Sequence, residues 1–309
     1  MMKVTKTLAL VLSTVALGLT HPAIHKRAVT DGDILNYALT LEHLEDKFYR
    51  EGLNNFTMQD FMNAGFNSSF YNNLKEVSYD ETTHVAFLTS ALKAAGVPPV
   101  DECTYAFGIT SVTQFVETAA ILEGVGVSAY LGAAASIVNK GYLTAAGSIL
   151  TVEARHSSYL RAANKESPFA QPFDSPLDLD EVYTLAAPFI VSCPSTNAAL
   201  PVKAFPVLTL DPSSSAPTSN GTITLDTQGF VLVEPPDQNI PIYAAWISVT
   251  GPTFVPATLM GNNKIQTTVP SGFHGQSYLV ITSCNDSISD DTVIAGPAIV
   301  EILGTNGAP

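Results

Sequence analysis

A glutamate, a tyrosine seven residues later and then Glu-x-x-His occur twice in order along this chain. The first copy is Glu42, Tyr49, Glu81 and His84, and the second is Glu123, Tyr130, Glu153 and His156. Placed on helices, each acid interrupts the apolar stripe that would face a bundle core. The stripes read Leu35, Leu39, Glu42, Tyr49; Val77, Glu81, His84, Leu88; Val116, Ala120, Glu123, Val127, Tyr130; and Ile149, Glu153, His156, Leu160. In Glu-x-x-His the spacing puts both side chains on one side of one turn. A lone carboxylate on each of two helices, and Glu-x-x-His on each of two others, is the ligand arithmetic of a dimetal four-helix bundle.

Carboxylates at such positions are costly without partners, by several kcal/mol each even after relaxation. Lys47, Lys75, Arg155 and Arg161 lie mostly off the stripes. Two divalent cations neutralise four carboxylates, and two imidazoles complete the shells. Oxygen and imidazole donors suit iron or manganese, and zinc less specifically. The competing reading is a bundle that keeps these residues and holds no metal, since a single Glu-x-x-His arises often by chance. Glu45 shares the face of Glu42 and is the alternative ligand on the first helix; Glu42 is preferred because its step to Tyr49 recurs at Glu123 and Tyr130. Glu117 and His43 fall off the stripes and are expected at the surface.

The stretches NYALTLEHLEDKFY, DETTHVAFL, ILEGVGVSAYLGAA and SILTVEARHSSYLRA resemble the ferritin-like superfamily. More closely, they look like the ferritin-like proteins of the fungal stress-response and late sexual-development type and the plant desiccation-related type. The resemblance covers residues 30 to about 195. It implies that Glu42, Glu81, His84, Glu123, Glu153 and His156 hold two iron or manganese ions, Glu81 and Glu153 bridging. It implies that Tyr49 and Tyr130 lie beside the centre, as donors of a hydrogen bond or an electron, or simply as core. A stress-related oxidoreductase acting on peroxide or dioxygen is expected. The alternatives are an extracellular or cell-wall structural protein and metal sequestration without catalysis. A storage cage is not expected, because a fused sandwich and glycans would obstruct the shell.

Residues 1–19 read as a secretory signal, with Lys3 and Lys6 before an apolar run too short to span a bilayer comfortably. Residues 20–27 read as a short propeptide ending at Lys26-Arg27, the alternative being an ordinary charged linker; His21 and His25 lie in this leader. Residues 28–195 form the expected bundle, with helices over about 31–52, 70–95, 111–140 and 142–164 and a short fifth near LDEVYTLAAPFIVSC. The apolar third helix is not read as a membrane span, because Glu123 interrupts it.

Secretion makes Asn55, Asn67, Asn220 and Asn285 glycosylation acceptors. Cys103 and Cys193 flank the later helices and are expected to pair, with Cys193 to Cys284 the rival. In the first case Cys284 is left over, expected within a strand. Residues 204–309 break into short β-rich runs between Pro, Gly and Ser: AFPVLTL, GTITLD, FVLVE, IYAAWISVT, KIQTTV, QSYLVITS and AIVEIL. They suggest an antiparallel β-sandwich, immunoglobulin-like being one option, with Trp246 in its core, His274 in a solvated turn and a surface for cell-wall or matrix contact. The net charge of -14 argues against nucleic acid and anionic membranes. No nucleotide loop, nucleophile elbow or C-x-x-C pair is present.

Overall fold

The computed structural model describes residues 29–230, 241–261 and 263–305. The leader, the dibasic pair and all of FVLVE but Phe230 lie outside these. An α-helical unit is followed by an antiparallel β unit.

Helix α1 (Asp31–Asn55) starts where Thr30 and Asp33 form a reciprocal capping box. After a short α2 (Met58–Asn63), α3 (Ser68–Ala94) is capped by Asn67, and Gly96 turns the chain away at positive φ. Strand β1 (Thr104–Tyr105) precedes α4 (Val112–Ala133), and α5 (Lys140–Ala163) starts at the Asn139 cap. The α4 stretch ends earlier than the expected 140. A single turn, Ala134–Ser136, follows, and the Asp31 carboxylate then accepts from the Val138 and Asn139 amides at 2.8 and 2.9 Å. Those bonds draw the backbone out of the helix and free Asn139 to cap the next. Although α4 and this turn are apolar and long enough to cross a membrane, most of the segment is buried against the rest of the protein and Glu123 lies within it.

Helix α6 (Leu179–Ala186) is held by an Asp178–Glu181 capping box. The following strand β2 (Ile190–Ser192) pairs with β1, and the Cys103–Cys193 disulfide closes beside them. Cys284 is not in a strand as expected: it follows β8 in a loop, half-buried, with its thiol donating to Asp286 at 2.7 Å.

Among the described residues the β unit has seven strands, β3 (Thr209–Leu210), β4 (Thr222–Asp226), β5 (Ile242–Trp246), β6 (Thr253–Gly261), β7 (Lys264–Thr268), β8 (Gly275–Thr282) and β9 (Val293–Ile302), in the order β3-β4-β7-β6-β5-β8-β9. With β3-β4-β7-β6 on one face and β5-β8-β9 on the other, this is the order of an immunoglobulin-type sandwich. Strand β6 joins the faces: Thr253–Ala257 pairs with β5, and Thr258–Gly261 turns to β7. Strand β6 escapes a reading of the sequence because Pro256 resembles a strand breaker. Proline is tolerated there because it stands next to the change of partner. Trp246 is fully buried in the sandwich core with Phe273 against it.

The two units share a core of Tyr37, Val125, Ala129, Leu177, Tyr278 and Val280. Polar contacts fix the joint. Tyr278 donates to the Gly124 carbonyl at 3.0 Å, and buried Arg161 grips Glu301 with two bonds of 2.8 Å. Gly132 is required there, since a Cβ would lie 1.8 Å from the Leu177 carbonyl oxygen.

Candidate metal centre

Four helices converge on one interior volume. Glu42 and Glu45 come from α1, Glu81 and His84 from α3, Glu123 from α4, and Glu153 and His156 from α5. Glu42, Glu81, Glu123 and Glu153 are each 0% exposed. Glu42, Glu81, His84 and Glu153 form one group; Glu81, Glu123, Glu153 and His156 form a second. Within each group, one ligand atom per residue lies within 4.8 Å of all the others. Glu81 and Glu153 belong to both groups, which is the arrangement of two bridging carboxylates between two terminal ones.

Each imidazole Nδ1 faces more acceptors than it has protons. His84 Nδ1 lies 3.2 Å from Glu42 Oε2, 3.3 Å from Glu81 Oε2 and 3.3 Å from Glu153 Oε1. Only the contact to Glu81 is aligned as a hydrogen bond. His156 Nδ1 lies 3.1 Å from Glu81 Oε1 and 3.2 Å from Glu123 Oε2, and only the latter is aligned. In consequence Glu42 Oε2, Glu81 Oε1 and both oxygens of Glu153 are buried without a hydrogen-bond partner. Leaving such groups unpaired costs several kcal/mol, and natural interiors rarely do so without an ion or water to account for them. Hard oxygens and two imidazole nitrogens converging at ligand spacing fit two divalent cations.

Two tyrosines cross between helices. Tyr49 of α1 donates to Glu123 Oε1 on α4, and Tyr130 of α4 donates to Glu42 Oε1 on α1. Burial and the adjacent carboxylates push both phenols well above their ordinary pKa, so they stay neutral donors.

The same crowding sets the acids. Burial and neighbouring carboxylates hold Glu45 and Glu153 well above the usual range. Burial and Glu123 push Glu81 up to about 7 despite the histidines. For Glu123 burial is outweighed by His156, then by Glu153 and Tyr49, and its pKa is lowered. Burial opposes charge on the imidazoles, but the carboxylates around them raise His84 to about 10 and His156 to about 11.

Asp80 is a residue the sequence reading missed. Its Oδ2 stands 3.2 Å from His156 Nε2, behind the ring, where it can fix the tautomer that aims Nδ1 inward. Its signal is an acid directly before Glu-x-x-His, on the helix face assigned to solvent. Glu45 is buried among the same carboxylates, but it is Glu42 that joins a ligand group, and Glu45 joins neither. Gly126 makes the room: a Cβ there would lie 3.0 Å from Glu45 Oε1 and 3.4 Å from Glu153 Oε2. Glu117 is exposed as expected, whereas His43 is half-buried with Nε2 at 3.2 Å from the Val100 carbonyl. His274 is also tethered, to the Leu303 carbonyl at 3.2 Å. The four candidate acceptor asparagines are exposed.

Residues 30–166 match the family described as a ferritin-like domain, a span that holds every side chain of this cluster. The chain is also similar to Protein rds1 of Schizosaccharomyces pombe, at 24% identity over 91% of this chain and 83% of that protein.

Proposed function

We propose, from the ferritin-like domain at residues 30–166, that the protein is a dimetal-carboxylate oxidoreductase acting on peroxide or dioxygen. The observation that carries this reading is Glu153, fully buried with neither oxygen hydrogen-bonded, at the centre of both ligand groups. Glu42 and His84 would hold one ion, Glu123 and His156 the other, and Glu81 and Glu153 both. Iron or manganese bound there would supply redox chemistry for O–O cleavage.

The chain's own groups prepare the reaction volume. Tyr49 and Tyr130 fix the outer oxygens of Glu123 and Glu42 and keep the inner ones directed at the centre. Asp80 orients His156. A solvent-facing cavity of about 230 Å³ between α3 and α5 is walled by Glu76, Asp80, Arg155 and His156, a polar approach suited to a small oxidant. The Cys103–Cys193 disulfide supports action in an oxidising compartment, in keeping with secretion. Peroxide removal suits the stress-response proteins that the chain resembles.

Metal analysis of purified protein tests the reading. The expected result is about two iron or manganese ions per chain, lost in a Glu81→Ala/Glu153→Ala variant, with peroxide or oxygen consumed by the loaded protein. Bound metal without turnover would leave sequestration. A chain that takes up no metal from replete medium would leave a structural role outside the cell.

A further inference from the structure

On the side of the bundle away from the polar approach, a cavity of about 240 Å³ lies between α1, α4, α6, β3 and β9. Its walls include Leu208 and Ile299, and Ile121 and Val207, both partly exposed, mark its mouth. Its lining includes Glu45 and Gly126, and Gly126 is what brings it up to the centre. Gly126 stands against the oxygens of Glu45 and Glu153, since even a Cβ there would come within 3.0 and 3.4 Å of them.

We infer that this cavity binds a small, neutral, apolar organic molecule seated against the carboxylate cluster. Size and charge select the occupant. An apolar cavity of about 150 Å³ takes benzene, so this one has room for a substituted ring or a short branched chain, and far more than peroxide needs. It is too small for a helix or strand of a protein partner. Among the described residues its lining holds no lysine, arginine or histidine, and its one acid is Glu45, buried beside the centre. An anion such as a fatty carboxylate would find no cationic side chain on these walls, and either an anion or a cation would lose its hydration to them. The oxidant and this molecule then approach from different sides, one polar and one apolar. That the site faces a metal pair rests on the function proposed above; the cavity itself does not.

The test uses fluorobenzene as probe, followed by fluorine NMR on the full chain, metal-free and after loading with manganese(II). Saturable binding is expected in both states, weakened about tenfold or more by Ile121→Trp and by Val207→Trp at the mouth. Met62→Trp, at an exposed position on α2, serves as the control and should bind as the parent does. Thermal midpoints matching the parent certify that the variants fold. Stoichiometric manganese should shorten the relaxation time of the bound fluorine. Absence of saturable binding, or binding indifferent to both mouth variants, overturns the proposal. Binding that manganese leaves unrelaxed overturns the placement against the centre. Failure of manganese to bind counts against the dimetal reading alone, because the mouth variants still decide the cavity in the metal-free chain.

Discussion

The phenol of Tyr49 on α1 is hydrogen-bonded to the carboxylate of Glu123 on α4. Its counterpart Tyr130 returns the contact to Glu42, so each tyrosine serves the other copy's acid. The seven-residue step thus records a swap across the bundle: each tyrosine lies two turns along the helix from its own glutamate and beside the opposite one. Replacing Tyr49 by Phe removes a donor from a buried carboxylate at almost constant volume. Denaturant unfolding of Tyr49→Phe should show a loss of about 1–3 kcal/mol, with metal stoichiometry retained.

The metal-free protein should lose stability as the pH rises from about 5 through 7. Glu81 has a folded pKa of about 7 against an ordinary 4.5, so the folded state binds its proton more tightly than the unfolded chain. That contribution is fully present below the unfolded value and disappears as the pH passes the folded one, on the order of 3 kcal/mol for this group. His84 and His156, raised to about 10 and 11 from an ordinary 6.5, act in the same direction: their contribution is whole below about 6.5 and drains away as the pH climbs toward those values. Thermal melts of chelator-treated protein across this range give the check. A melting point that climbs between these pH values would contradict the assignment.

Metal uptake should release protons, since the imidazoles must be neutral and the bridging carboxylates ionised to ligate. Affinity is therefore expected to rise with pH. Isothermal titration in buffers of different ionisation enthalpy counts the protons directly.

Asp80→Asn should weaken metal binding about 10- to 100-fold while leaving the fold intact, the usual cost of losing a carboxylate behind a ligand histidine. Competition against a chelator of known affinity measures it. An unchanged affinity would make Asp80 merely a surface acid.

Breaking the Cys103–Cys193 bridge by a double replacement with serine opens a loop of 90 residues. Loop entropy predicts a loss of about 5 kcal/mol in unfolding free energy, read from denaturant midpoints. The fold should survive, because the cluster's ligands sit on helices that the bridge does not join.

Helix periodicity made the cluster legible. Glu42, Glu81, His84, Glu123, Glu153 and His156 each interrupt an apolar stripe, and one interior accommodates them all. Asp80 was not legible, because its role depends on which ring of another helix stands opposite. The same holds for Gly126, whose missing side chain matters only beside Glu45 and Glu153. The early end of α4 escaped because Asp31, over a hundred residues before it, supplies the contact that unwinds it. Strand β6 hid behind Pro256, which is harmless only because its neighbours change partners there.

Where Asp80 precedes one Glu-x-x-His, Val152 precedes the other. A valine cannot brace a ring, so the near-duplicate halves are not equivalent. Two ions held this way would differ in tenacity, and a slow chelator would strip them in succession, the His84 side first.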